Sequence, residues 1–212
     1  MVISPHPQGS VEWLKARLGV VTASELDNLV TPEFKLRTGE TPKSYLAKKV
    51  AEKLTGDYMD GLSTFDIEQG TILEEEARPW LAMELDCDIE NVGLITRDDG
   101  RCGCSPDGII CNKSANDILD LGIGVEIKCP KASTHAKYLL NGELPKEYAA
   151  QVHGSMYVTG LSKWYFVSYH RKMPKLVLLV ERDEAIQERI HEAVTKFIAE
   201  MDAALEKIEK IK

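Results

Sequence analysis

The sequence has little positive charge for its length. Lysine and arginine number 26 against 34 aspartates and glutamates, which gives a net charge of −8 over 212 residues. A strongly basic domain is the usual mark of nucleic-acid binding, so a uniformly basic surface is excluded. An acidic exterior can still coexist with a local basic groove. Nucleic-acid binding therefore requires that lysines and arginines cluster in one part of the surface.

Long apolar runs are also missing. No stretch reaches the roughly 18 apolar residues that a membrane-spanning helix requires. The first residues lack the basic start and apolar core of a secretory signal. The odd number of cysteines, five, argues for free thiols in a reducing compartment. We therefore expect a cytoplasmic protein.

Metal sites built from cysteine or histidine are not indicated. Cys102 and Cys104 are too close for a zinc pair, and no second pair completes a tetrahedral site. The five histidines form no pair at metal-binding spacing. His153 matches no motif, and we expect an exposed histidine or one whose ring nitrogens have partners.

The length and the 43% hydrophobic content predict one domain with one substantial core, over residues 1–212. Expected caps are Ser10, a capping box from Thr22 to Glu25, and Thr41 before Pro42, while Pro79 predicts a kink or break. Periodicity predicts helices over 10–18, 22–30, 41–56, 64–85, 133–140, 145–158 and from 183, and strands over 92–96, 101–104, 108–111, 122–128, 163–169 and 176–181. The predicted fold class is α/β, with a central mixed β-sheet flanked by α-helices.

The most informative stretches are SPDG at 105–108 and VEIKCP at 125–130. Alternate side chains of a strand share one face, so Glu126 and Lys128 project together while Ile127 points to the other side. Asp107 follows a proline and precedes Gly108, a sequence typical of a sharp turn. If that turn folds against the strand, two acids and a lysine converge.

Converging carboxylates favour a hard cation such as Mg²⁺, which prefers oxygen ligands. A metal ion that activates water, beside a lysine, suits phosphodiester hydrolysis. The alternatives without catalysis are an ordinary Pro-Asp-Gly turn at Asp107 and a solvated strand face at Glu126 and Lys128. The apolar neighbours of Glu126 favour a central strand, where exposed charges are less expected.

These motifs resemble the PD-(D/E)XK nuclease superfamily, and within it the phage lambda exonuclease or YqaJ-like viral recombinase family. The likeness runs over nearly the whole chain. It includes WLKARLGVVTASE at 13–25, GTILE at 70–74, YAAQV at 148–152 and ERD at 181–183. The resemblance implies a restriction-endonuclease-like core and therefore a single PD-(D/E)XK exonuclease domain.

The resemblance also implies roles for individual residues. Asp107, Glu126 and the Ile127 carbonyl would bind metal, and Glu74, one of three consecutive glutamates, would complete a second metal position. Lys128 and Gln151 would act on the attacking water, with Tyr148 nearby. A further set would hold a terminal 5′ phosphate, and its members are Arg17, Ser24 and Ser105. Ile67 lies where the family places an apolar wedge, although a buried core isoleucine fits equally well.

The implied activity is a Mg²⁺-dependent 5′→3′ exonuclease that digests one strand of linear double-stranded DNA and leaves a 3′ single-stranded overhang. Two Mg²⁺ ions are expected, with Mn²⁺ as a substitute. The implied partners are duplex DNA ends, a homotrimeric ring of identical chains and a single-strand annealing protein. The alternatives are a structure-selective endonuclease on the same core and an inactive nuclease-fold DNA-binding module.

Overall fold

A computed structural model describes residues 1–58, 64–111 and 122–211, with side chains in the helix beginning at Thr64 described from residue 73 onward. The α-helices are α1 Val11–Ala16, α2 Glu40–Thr55, α3 Thr64–Glu84, α4 Ala132–Asn141, α5 Lys146–Thr159 and α6 Glu184–Glu209, and a 3₁₀ helix spans Ala23–Asn28. The strands are β1 Val2–Ile3, β2 Val21–Thr22, β3 Ile89–Glu90, β4 Ile95–Thr96, β5 Cys102–Cys104, β6 Gly108–Ile110, β7 Ile123–Lys128, β8 Lys163–Ser168 and β9 Leu176–Glu181. Within these ranges no helix combines the length and apolarity needed to cross a bilayer.

The strands form two mixed sheets rather than the single sheet expected. The smaller has the order β1-β4-β5-β2, and the larger has the order β3-β6-β7-β8-β9. Strands β7 and β8 are parallel, which requires a crossover connection, and α4 and α5 supply it. This crossover brings α5 close to the strand that carries Glu126 and Lys128.

The two faces of β7 serve different purposes. Val125 and Ile127 are fully buried in a cluster with Ala77 and Leu81 of α3. The alternate residues Glu126 and Lys128 therefore project to the other face, as the strand period predicts. That other face lies toward α5, whose buried residues belong to the larger core cluster shared with β8 and α6. Strand β7 thus carries charged side chains between two packed layers.

Two expected helix starts are wrong. Thr22 precedes the 3₁₀ helix, but its hydroxyl makes no cap and donates to the Glu25 carboxylate at 2.7 Å. Helix α2 begins at Glu40, with Gly39 at the N-cap position, so Thr41 is already inside the helix. Pro42 is tolerated there because the first four N–H groups of a helix have no intrahelical acceptor. The expected cap at Ser10 is confirmed by a hydrogen bond from the Trp13 N–H.

The structure also differs from the sequence interpretation at Pro79, where a break was one of two alternatives, and at Gly108. Helix α3 continues across Pro79 to Glu84, so the proline does not break it. Gly108 lies in β6, and a Cβ there would approach the Ile89 side chain of β3 to 2.3 Å. The glycine is therefore required by close packing of β3 on β6 and not by a left-handed turn.

Candidate active site

The turn that precedes β6 packs directly against β7. The Asp107 N–H donates to the Val125 carbonyl at 3.0 Å, and the Ile127 N–H donates to Asp107 Oδ2 at 2.6 Å. Arg78 of α3 donates from Nε to the Asp107 carbonyl at 2.7 Å. The Asp107 carboxylate is therefore fixed beside the centre of β7, as the sequence predicts if the turn folds back.

Glu126 and Lys128 meet on one face of β7. Lys128 Nζ lies 2.6 Å from Glu126 Oε1, and Gln151 of α5 donates from Nε2 to the same oxygen at 2.5 Å. The Glu126 side chain is 2% exposed, whereas that of Lys128 is 24% exposed. The lysine thus remains partly accessible to a ligand, above a carboxylate that the fold buries.

Tyr148 forms one wall of this site. Its ring stacks on Phe166 of β8 with centroids 5.4 Å apart, and the Lys128 ammonium lies 5.3 Å from the Tyr148 ring centroid. A cation above an aromatic face is attracted by the ring quadrupole. Tyr148 and Gln151, which are three residues apart on α5, therefore both contact the β7 charges.

The three consecutive glutamates of α3 have different environments. Glu75 is exposed, and Glu76 accepts from Tyr169 Oη and from Arg171 Nε, each at 2.6 Å. Glu74 is half-buried and interacts electrostatically with Asp107 and Lys128. Of the three, Glu74 is the one that belongs with the β7 charges.

The carboxyl groups of the site hold their protons unusually tightly. Burial and the charge on Asp107 raise the pKa of Glu74 to about 7. Burial and Asp107 also raise the pKa of Glu126 to about 8, against the attraction of Lys128. Burial raises the pKa of Asp107 as well. Burial opposes the charge on Lys128, but Glu126 and Asp107 outweigh it and raise the lysine pKa, so its ammonium stays charged.

The donor set fits a hard divalent cation. Its side-chain donors are carboxylate oxygens, and burial, the largest cause, raises the pKa of all three acids, so a bound cation would favour their ionised forms. In the arrangement described, Glu126 is occupied by Lys128 and Gln151. Across the described ranges, no three acidic, histidine or cysteine side chains already form a closed ligand cluster.

The raised pKa values predict how stability depends on pH without metal. Folded Glu74 and Glu126, with pKa values of about 7 and 8, bind protons more tightly than the unfolded chain, whose glutamate value is 4.5. Their contribution is therefore full below about pH 4.5 and is lost as pH rises through 7 and 8, by at most ~1.4 kcal/mol per pH unit for each proton. We expect the melting temperature in chelator to fall between pH 6.5 and 8.5.

The comparison that isolates this effect uses two glutamine substitutions. Glu126→Gln is expected to make the melting temperature fall less steeply with pH. Glu181→Gln, at an exposed strand end, is expected to leave the pH dependence of the melting temperature unchanged. A melting temperature that rises over this pH range in chelator would show that the acids are ionised in the metal-free protein and that neighbouring positive charges balance them.

The three residues expected at a 5′ phosphate lie together around Trp13. Arg17 Nη2 is 3.5 Å from Ser24 Oγ, and its guanidinium lies 4.3 Å from the Trp13 ring centroid. The Trp13 indole N–H donates to Ser105 Oγ at 3.0 Å. Segments far apart in sequence therefore present an arginine and two hydroxyls at one place. We call Arg17, Ser24 and Ser105 the Arg17 cluster. Since Ser105 is two residues before Asp107, the Arg17 cluster adjoins the acidic site.

Sequence reasoning missed three residues that support the site. Trp13 joins Arg17 to Ser105, and Arg78 holds the Asp107 carbonyl from α3. Gln8 donates to the carbonyls of Val92 and Pro106, at 2.9 and 2.7 Å, and so ties the N-terminal segment to the same turn. Arg78 carried a usable signal because it is one helical turn after Glu74, and Trp13 carried one because it begins the stretch WLKARLGVVTASE.

The expectation for His153 is wrong. The residue is 7% exposed, its ring meets Phe34 edge-on at 5.4 Å between centroids, and its Nδ1 has no hydrogen-bond partner. Burial lowers its pKa. An apolar environment thus favours the neutral imidazole. The Ile67 side chain lies outside the described residues, so its expected role stays a prediction.

Comparison with known proteins gives consistent matches. The model of the YqaJ-like viral recombinase domain matches residues 12–162. The Escherichia coli (strain K12) protein ExoD is 38% identical over 77 residues, which cover 34% of this chain and 88% of that protein. The alkaline exonuclease LHK-Exo from Laribacter hongkongensis, solved in complex with dAMP, is 30% identical with a TM-score of 0.81 and covers 95% of this chain and 97% of its own. A phage-related exonuclease from Haemophilus somnus 129PT, 16% identical with a TM-score of 0.65 and covering 89% and 96%, shares the fold alone.

The expected metal-binding, catalytic and phosphate-binding residues, from Arg17 to Gln151, all fall within the matched range 12–162. The matches confirm the predicted fold class, a mixed α/β nuclease fold, and the predicted enzyme class, an exodeoxyribonuclease. The chain belongs to the YqaJ-like viral recombinase family.

Proposed function

We propose that this exodeoxyribonuclease digests one strand of linear double-stranded DNA in the 5′→3′ direction, with divalent metal, and leaves a 3′ single-stranded overhang. The observation that carries the proposal is the juxtaposition of two sets of side chains. Asp107, Glu126 and Lys128 meet on β7, and the Arg17 cluster adjoins them through Ser105. The first set suits phosphodiester hydrolysis, and the second suits a terminal phosphate.

Asp107, Glu126 and the Ile127 carbonyl would hold one metal ion, and Glu74 would complete a second position. Mg²⁺ is the proposed cofactor, with Mn²⁺ as a substitute, because the ligands are hard oxygen donors. When bound, the ions would stabilise the charge that develops on the scissile phosphate. The raised pKa values of Glu74 and Glu126 mean that these acids must release protons before they bind metal, which favours activity on the alkaline side of neutrality.

Lys128 acts in this proposal as a hydrogen-bond donor and a fixed positive charge. Its raised pKa keeps it protonated, so it is a poor proton acceptor. With Gln151, it would orient the attacking water and face the phosphate oxygens. Tyr148 would limit the movement of the ammonium, since its ring lies 5.3 Å from Nζ.

The Arg17 cluster would set the direction of digestion. A guanidinium binds phosphate oxygens with two parallel hydrogen bonds, and hydroxyls of Ser24 and Ser105 add further donors. Each cut regenerates a 5′ phosphate, so the same attraction would draw the strand forward after every cycle. A terminus without phosphate would lose this attraction while leaving the acidic site intact.

Arg17→Ala is therefore expected to slow digestion of 5′-phosphorylated ends by about tenfold to a hundredfold and 5′-hydroxyl ends much less, since a charge-assisted phosphate contact is worth roughly 1.5–3 kcal/mol. The measurement is kcat/KM on two duplexes that differ only in the terminal group. Pairing enzyme and substrate changes in this way cancels general effects on stability.

Arg189→Ala, at an exposed arginine of α6, is the matched control and should alter neither rate. Equal losses on both duplexes with Arg17→Ala would mean that Arg17 does not read the terminal phosphate.

The homotrimeric ring and the single-strand annealing partner remain proposals. A closed ring around DNA would explain how a chain with a net charge of −8 stays on an anionic substrate, with its cations facing the lumen. The cytoplasmic location also remains a prediction.

A further inference from the structure

Helix α2 buries a charged network that the proposed chemistry does not use. Lys49 is 1% exposed and Glu52 is 0% exposed. Lys49 Nζ lies 3.1 Å from Glu52 Oε2 and 2.9 Å from Glu25 Oε2. Burying a lysine with two carboxylates costs several kcal/mol in desolvation, and an apolar set of similar volume is often at least as stable. Stability alone therefore does not explain why these charged side chains are buried together.

Both carboxylates of this network hold the segment between Arg17 and Ser24. Glu52 Oε2 accepts the Gly19 N–H at 3.0 Å. Gly19 has a positive φ of 66°, and the Lys53 methylenes lie where its Cβ would be, at 2.4 Å for the nearest. A glycine is therefore required at this position. The chain immediately after Arg17 is fixed to α2 by a charged acceptor.

Glu25 fixes the other end of the segment. Its Oε1 accepts from Lys48 Nζ at 2.6 Å, and its Oε2 accepts from Thr22 Oγ1 at 2.7 Å and from Tyr45 Oη at 3.3 Å. Thr22 Oγ1 is in turn 3.3 Å from Ser24 Oγ. Burial alone would raise the pKa of Glu25, but Lys49 and Lys48 lower it to about 2. The carboxylate therefore remains a charged acceptor.

We infer that Glu25, held by Lys48 and Lys49, is the positioning residue of the 5′-phosphate pocket. Arg17 and Ser24 touch each other only at 3.5 Å, so their own contact is too long to fix their geometry. The hydroxyl of Thr22, oriented by Glu25, and the Gly19 anchor supply that geometry. The inference rests on the proposed function, because it assumes that Arg17 and Ser24 bind the terminal phosphate.

The lysines have a second consequence for an anionic ligand. A lone carboxylate one residue after Ser24 would repel a phosphate bound there. Lys48 at 2.6 Å and Lys49 at 2.9 Å balance the Glu25 charge, so the carboxylate can orient Thr22 without opposing the ligand. The network thus supplies a charged acceptor for Thr22, while the two lysines cancel the negative charge that would repel a phosphate.

Glu25→Ala and Glu25→Gln test the inference. Glu25→Ala removes the Thr22 acceptor and should lower the ratio of kcat/KM for 5′-phosphate over 5′-hydroxyl ends on the order of tenfold, because misplaced binding groups lose much of their effect. Glu25→Gln keeps an oxygen for Thr22 and should retain most of the ratio. Val177→Ala, on β9, is the control that lowers stability from the separate apolar cluster that contains Leu81 and Val167, and it should leave the ratio unchanged.

The outcomes separate this inference from the proposed function. A wild-type enzyme without preference for 5′-phosphate ends would refute the pocket itself, and the inference with it. A wild-type preference that Glu25→Ala leaves intact, or rates that fall equally on both ends, would refute the inference alone. If Glu25→Ala does not fold, Thr22→Val decides: it keeps the shape and removes the hydroxyl, and an unchanged ratio would overturn the positioning role.

Discussion

Asp107→Asn is expected to lower kcat/KM on linear duplex DNA by at least about three orders of magnitude, since metal ions supply most of the charge stabilisation in such hydrolysis. The asparagine oxygen can still accept the Ile127 N–H, so the turn should stay packed on β7. What is lost is the negative charge that would hold a divalent cation. The measurement is the initial rate of nucleotide release in Mg²⁺, together with the melting temperature.

The control for Asp107 is another aspartate in a polar contact. Asp202 of α6 pairs with Arg101, with an oxygen 2.6 Å from the guanidinium, and takes no part in the proposed site. Asp202→Asn should keep activity within about twofold, as surface ion pairs contribute little. Near-normal Mg²⁺-dependent cleavage by Asp107→Asn would show that the proposed site is not where hydrolysis occurs.

The second large effect is expected at Lys128. Lys128→Met keeps the unbranched stem beside Tyr148 and removes the ammonium, and we expect kcat to fall by about 10²–10³-fold, the usual effect of losing one donor to a developing charge. DNA binding should change far less, because the acids and the Arg17 cluster are untouched. Single-turnover cleavage and binding in Ca²⁺, which takes the same oxygen ligands in a looser geometry, separate the two effects.

Lys163→Met provides the matched control on the neighbouring strand. Lys163 is half-exposed at the start of β8 and lies 4.0 Å from Glu181, so its loss should leave both kcat and binding unchanged. A Lys128→Met enzyme that cleaves at the wild-type rate would remove the lysine from the mechanism.

The placement of Glu126 and Lys128 was predictable because it follows from a local rule: strand alternation puts both side chains on one face of β7. The i, i+3 spacing of Tyr148 and Gln151 likewise puts these two residues on one side of α5. Both rules need only a few consecutive residues, whereas the approach of Asp107 to β7 depends on strand pairing and was predicted only on the condition that its turn folds against the strand.

Other features depended on tertiary contacts that leave no periodic signal. Periodicity could not single out Glu74 from its neighbours, because the choice depends on where α3 meets β7; the family resemblance supplied it. The two-residue strands β1, β2 and β3 are too short to show alternation. Thr22 and Glu25 match a capping box, yet buried Lys49 and partly exposed Lys48 pair with the glutamate, and the threonine donates to it instead of capping.

The most direct test of the proposed function is digestion of linear duplex DNA labelled separately on each strand, with 5′-phosphate or 5′-hydroxyl ends, in Mg²⁺ and in chelator. A closed circular duplex serves as the control for endonuclease activity. We predict that nucleotides are released from 5′ ends only, and faster where these ends are phosphorylated. Labels at 3′ ends should be retained, the circle should stay uncut, and chelator should abolish activity. Release from 3′ ends, cleavage of the circle or undiminished activity in chelator would contradict the proposed function.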